Sequence, residues 1–155
     1  MPIRPKRLTR VWSSALLLCT LVLSGCDESH APLPNLAPVS ASISLHIHRE
    51  LLTPGGMVRL TQPIRLTDAL GYGGLLVVRS LTEEAFYAYD LACPNELSGV
   101  KQVEIVDERA VCPACHSVFD VLLSYGAPVA GPAKRPLRPY QTYYSAGTRE
   151  LRIMN

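Results

Sequence analysis

The sequence predicts an all-β domain, an antiparallel sandwich or partial barrel. Three observations predict it. Short runs alternate apolar with polar residues at the two-residue period of a strand. Long helical periodicity is absent. And 13 prolines and 10 glycines in 155 residues break the chain at intervals too short for helices.

The chain opens on a segment that does not belong to the domain. Arg4, Lys6, Arg7 and Arg10 form a basic start, and Val11 to Leu23 is apolar but too short to span a bilayer as a helix. Leu23-Ser24-Gly25-Cys26 follows, with small residues before a cysteine. This is the order of a bacterial lipoprotein signal peptide, cleaved before Cys26, which would carry lipid. The expected division is a signal peptide over 1–25, a lipid-anchored tether over 26–39 and a folded domain over 40–155. Asp27 to Pro38 is polar and contains Pro32, Pro34 and Pro38, as a spacer would.

Ser40 to His48 alternates, with Ile43, Leu45 and Ile47 on one face and Ser42, Ser44, His46 and His48 on the other. It reads as a strand. The two histidines share a face, but no third ligand accompanies them, so a solvated face is expected. Glu50 to Asp68 is loop-like, with a turn at Pro54-Gly55-Gly56 and a short strand from Met57 to Leu60. Thr67 to Leu70 reads as one helical turn. Gly71-Tyr72-Gly73-Gly74 lacks the lysine of a phosphate loop and reads as a turn.

Leu75 to Arg79 is a buried strand, and Ala85 to Asp90 alternates. The two form a hairpin that delivers the chain to Cys93. Val103 to Val106 is a further strand, turning at Asp107-Glu108-Arg109. Ala110 and Val111 then enter a second cysteine loop. Leu122 to Gly126 and Gly131-Pro132-Ala133 are loops. Tyr140 to Tyr144 and Glu150 to Met154 close the domain as a hairpin around Ala146-Gly147-Thr148.

Charge narrows the function classes. The formal net charge is +2. Cleavage would remove four basic residues and no acidic ones, leaving 11 basic against 13 acidic side chains. No basic patch remains to hold nucleic acid. No Ser-His-Asp or paired-carboxylate setting suggests an enzyme. Of five cysteines, Cys19 leaves with the leader and Cys26 takes the lipid. Cys93, Cys112 and Cys115 remain. Three thiols in an oxidising compartment cannot all pair within one chain. Either one disulfide forms and a thiol is left over, or the three act together as metal ligands.

The run Cys112-Pro113-Ala114-Cys115-His116-Ser117-Val118-Phe119-Asp120 is a ligand-type loop, because proline stiffens it and both sulfurs can point one way. A thioredoxin-type site has the same Cys-x-x-Cys spacing, but it belongs at a helix start, and the residues after Cys115 look extended. With Cys93-Pro94-Asn95 upstream and Gly131-Pro132-Ala133-x-x-Pro136-Leu137 and Tyr140 downstream, this order resembles the cluster-binding loops and proline loop of Rieske [2Fe-2S] proteins. The resemblance covers about half the chain, from Leu75 onward.

What the resemblance implies is specific. The fold would be a Rieske-like antiparallel β-sandwich with a small loop-built cluster-binding subdomain. That family holds one iron by two cysteines and the other by two histidines. Aligned without gaps, Cys93 and Cys112 match the cysteines. Asn95 and Cys115 fall on the histidine positions, and His116 falls where glycine is usual. A one-residue slip would make His116 the ligand instead. Ser117 matches a serine that hydrogen-bonds a cluster sulfur, and Phe119 replaces a tyrosine that does likewise.

Three readings stay open. The first is electron transfer through a [2Fe-2S] cluster on Cys93, Cys112 and Cys115, with Asn95, His116 or solvent as the fourth ligand. The second is a zinc site on the three cysteines plus His116 or Asn95. The third is the same fold without metal, closed by a disulfide from Cys112 to Cys115 or Cys93, serving as an envelope binding or assembly module. The expected partners are a membrane, through Cys26, and a redox or envelope protein.

Overall fold

The computed structural model describes residues 37–96, 99–123 and 125–155. The signal segment, Cys26 and most of the tether lie outside the described residues. Within them the chain is all-β and antiparallel, with eleven strands and one 3-10 turn at Arg49–Leu52.

Two sheets share the strands. β1 (Val39–Ser44), β2 (Met57–Leu60), β3 (Ala69–Leu70), β4 (Leu75–Arg79), β5 (Phe86–Asp90), β10 (Pro139–Ser145) and β11 (Glu150–Met154) form a seven-stranded sheet, ordered β2-β4-β5-β10-β11-β1-β3. β6 (Glu104–Val106), β7 (Arg109–Val111), β8 (Val118–Asp120) and β9 (Ala127–Ala130) form a four-stranded sheet in sequence order. The smaller unit, expected as a set of loops, is thus a meander with loops at its ends.

The β4–β5 hairpin is the wall between two cores. Leu75 and Val77 of β4 face one core with Phe86 and Ala88 of β5. Leu76 and Val78 face the other with Tyr89. A strand covered on both faces has no polar side, which is why Leu75 to Val78 is four apolar residues in a row. The first core adds Val39, Ala41 and Ile43 of β1 and Leu151 and Ile153 of β11, each pair two residues apart and so on one face. The second adds Leu91, Val103, Ala110, Phe119, Leu137 and two of the cysteines, Cys93 and Cys112.

Two expectations are corrected, and one strand is added. The first strand stops at Ser44. Leu45 is still buried, but the chain then turns, and Ile47 is 73% exposed instead of lying in line with Ile43. Its amide and that of His48 both donate to Ser44 O, at 3.1 Å each. Thr67 to Leu70 is not a helical turn. Ala69 and Leu70 pair with Ser40 and Val39 as an edge strand. Ala127–Ala130, which the sequence reading leaves unassigned between the two expected loops, is β9 and pairs with β8 through a bulge at Val118/Phe119. Pro128 there removes a donor, which an edge strand tolerates.

Candidate metal centre

Each cysteine loop hangs from strand ends at the second core. The first leaves β5 through Leu91, whose amide donates to Gly74 O at 2.9 Å. Cys93 N donates to Lys101 O at 2.9 Å and Glu96 N to Cys93 O at 3.2 Å, which closes a tight turn around the sulfur. The second loop joins β7 to β8. Cys112 N donates to Ser117 O at 2.9 Å, and His116 N donates to Cys112 O at 3.0 Å. His116 closes this turn at φ 58°, a left-handed conformation that favours glycine. Glycine is the residue that the Rieske resemblance places there.

Each loop is backed by a glycine that permits backbone contact. A Cβ on Gly73 would lie 2.5 Å from Ala92 N, beside the first loop. A Cβ on Gly131, which has φ 87°, would lie 2.5 Å from Ser117 Cα, beside the second. The sequence reading saw a turn at the first glycine and a loop at the second. Their place against the cysteine loops is what the structure adds.

The three thiols converge. The sulfurs of Cys93, Cys112 and Cys115 all lie within 4.8 Å of one another, with Cys93 and Cys115 at 3.6 Å. Cys93 and Cys112 are fully buried, and Cys115 is half-buried. The Cys115 thiol and the Ser117 hydroxyl are hydrogen-bonded at 3.2 Å, and Ser117 Oγ also accepts Ala133 N–H at 3.0 Å. Ser117, buried beside two of the cysteines in sequence, therefore ties the Gly131-Pro132-Ala133 loop to the sulfur cluster.

The thiols are not equivalent. Burial pushes Cys93 well above the ordinary thiol range. The Asn95 backbone N–H works against that, and the other two thiols add to it. Burial opposes ionisation of Cys115 too, yet hydrogen bonds from the Ser117 hydroxyl and backbone, and from Cys112 and Cys93, hold it below the usual value of 9.0. A thiolate is the metal-ligating form, so the half-buried Cys115 is the readiest donor.

The other expected ligands stand apart. His116 is exposed, and its ring is not among the donor atoms that gather with the sulfurs. The Asn95 side chain donates to Glu96 Oε1 at 3.5 Å. His46 is exposed and His48 partly so; neither joins a group of donors among the described residues. The second cysteine loop runs from one strand into another, not into a helix start, so the thioredoxin arrangement is not formed.

One set of residues escaped the sequence reading. Asp90, fully buried, takes four donors. Oδ1 accepts from Gly73 N at 2.8 Å and Ala92 N at 2.7 Å, and Oδ2 accepts from Tyr72 N at 2.7 Å and the Tyr140 hydroxyl at 2.5 Å. Gln102 Nε2 donates to Gly73 O at 2.7 Å. This network pins the glycine turn to Ala92, the residue before Cys93. A carboxylate ending an apolar strand three residues before a cysteine was the available signal.

No protein-family profile matches the chain, and no curated protein sequence matches it. Among solved structures, it is similar to a chain of the "Complex of reduced oxygenase and oxidized ferredoxin in carbazole 1,9a-dioxygenase". The alignment covers 65% of this chain and 82% of that one, at 23% identity and a TM-score of 0.42.

Proposed function

We propose that this chain is a lipid-anchored domain of the bacterial cell envelope that holds a metal centre on Cys93, Cys112 and Cys115. The carrying observation is the convergence of three thiols from two loops, all within 4.8 Å. The anchor rests on the basic, apolar and Leu-Ser-Gly-Cys segments in that order.

The finer reading is electron transfer through a [2Fe-2S] cluster to an envelope redox partner. It is supported by the two cysteine loops on neighbouring strand ends and by Ser117 beside Cys115. The donor set departs from that cluster in number, with three donors gathered among the described residues instead of four, and in placement. A two-iron unit takes donors at its two ends, whereas the three sulfurs here crowd to one point. The residues do not fit two-iron ligation as they stand, which weighs against the finer reading and leaves the metal centre itself as the proposal.

The test is metal and acid-labile sulfide content of the full chain, purified in detergent without oxygen, with alkylation of free thiols. The expected result is bound metal and three thiols that react only after a chelator is added. Metal-free protein with a disulfide between any two of Cys93, Cys112 and Cys115 would sink the reading. It would favour the alternative of a binding or assembly module, for which Leu123 and Tyr125 are the pertinent residues. They are 69% and 70% exposed, in the loop at the end of β8 opposite the cysteine turn.

A further inference from the structure

The spacing of the three sulfurs distinguishes one metal ion from two. On a tetrahedral ion with metal–sulfur bonds of about 2.3 Å, two thiolates stand about 3.8 Å apart. Cys93 and Cys115 stand at 3.6 Å, and no pair among the three sulfurs exceeds 4.8 Å. In the ungapped alignment with the Rieske pattern, Cys115 would serve the second iron, away from Cys93 and Cys112. Instead it is drawn against Cys93. Bringing the sulfurs to that spacing changes each separation by about one ångström at most.

Burial then places the fourth corner. Cys93 and Cys112 form the fully buried floor of the site. Cys115 is half-buried, and Pro113, Ala114 and His116 around it are exposed. An ion seated on the floor therefore meets solvent on the Cys115 side. Thiolate-only donors select soft or borderline ions, and a site with three protein ligands leaves one position for water or an outside ligand.

We infer that the site takes a single zinc-class ion on Cys93, Cys112 and Cys115, with its fourth position open to an exchangeable ligand beside Cys115. This rests on the metal-centre reading above and narrows it. The open position is suited to capture of a small soft or nitrogenous ligand, a capacity that a closed structural site lacks.

The experiment is an anaerobic titration of the reduced, metal-free full chain in detergent with Co2+ as the spectroscopic probe. The expected result is saturation at one Co2+ per chain, with thiolate charge-transfer bands and tetrahedral visible bands, all displaced by one equivalent of Zn2+. Cys93→Ser, Cys112→Ser and Cys115→Ser should each weaken Co2+ binding at least tenfold. His116→Ala and Asn95→Ala should retain the bands, and circular dichroism would check that every variant keeps its strands. Added imidazole should then shift the visible bands. Unshifted bands would mean that the chain itself fills the fourth corner, which overturns the open position. Two irons and two sulfides per chain on reconstitution would overturn the single ion while leaving the metal-centre reading intact. Failure to bind Co2+, Zn2+ or iron would overturn both.

Discussion

The two cores are built on opposite logics, although they share the β4–β5 wall. The first is aliphatic and aromatic, assembled from side chains two residues apart on long strands, such as Val39, Ala41 and Ile43 or Leu151 and Ile153. The second mixes Leu76, Tyr89 and Phe119 with Cys93 and Cys112, and much of it comes from loops and three-residue strands. A sheet holds the first core by its own ladder. The second is held by contacts specific to single residues: Asp90 on four donors, Ser117 on Ala133, Gly131 against Ser117. The difference teaches that the two cores rest on different contacts: the first on strand pairing and aliphatic packing, the second, which contains the cysteines, on single-residue contacts.

The largest effect that could break this comparison comes from matched truncations. Leu151→Ala and Phe119→Ala each empty a fully buried position and should cost about 2–5 kcal/mol of stability. Chemical denaturation would measure both. At temperatures where both remain folded, only Phe119→Ala should weaken metal binding, because Phe119 packs in the core that contains Cys93 and Cys112. Equal loss of metal affinity in the two variants would refute the distinction.

Next comes the backbone contact behind the second loop. Gly131→Ala sets a Cβ against Ser117 Cα at a φ of 87°, and should cost about 1–3 kcal/mol. Because Ser117 touches Cys115, chelator competition should show weaker metal binding as well. Normal affinity in a destabilised variant would mean that the loop and the sulfurs are uncoupled.

Tyr140 offers a smaller effect with a pH signature. Burial, then the hydrogen bond to Asp90 and its charge, push the phenol above its ordinary value of 10.0. The folded state thus holds this proton more tightly than the unfolded chain. The resulting stability is present below pH 10 and is lost as pH rises beyond it. Tyr140→Phe should cost about 1–3 kcal/mol at neutral pH and flatten the alkaline fall. Tyr89, raised chiefly by burial, would keep part of that fall in the variant. An unchanged alkaline profile would remove Tyr140 from the account.

The smallest effect is at His116. His116→Gly relieves a left-handed residue, and should raise stability by up to about 1 kcal/mol without loss of metal. Loss of metal binding would instead make the imidazole a ligand. Metal affinity in the parent chain should fall as pH falls, since protons compete for the three thiols. An affinity flat from pH 8 to 6 would argue against thiolate ligation.

Strand existence was legible wherever burial was one-sided or complete, as at Val39–Ser44, Leu75–Arg79 and Glu150–Met154, because local alternation reports which face is covered. It failed where a turn overrode the pattern, at Ile47, and where short pairing left no pattern, at Ala69–Leu70 and Ala127–Ala130. The cysteines were legible as a group, since residue type and the Cys-x-x-Cys spacing are local. Asp90 and Gln102 were not, because their partners lie up to 50 residues away.

The sequence by itself determined the strand-rich character and the two cysteine loops, both properties of neighbouring residues and their composition. The tertiary structure alone decided that β10 lies between β5 and β11, that β4 divides two cores and that sulfurs 22 residues apart meet. The physical reason is range. Periodicity is written over a few residues, whereas strand order and donor geometry follow from which distant surfaces are buried together.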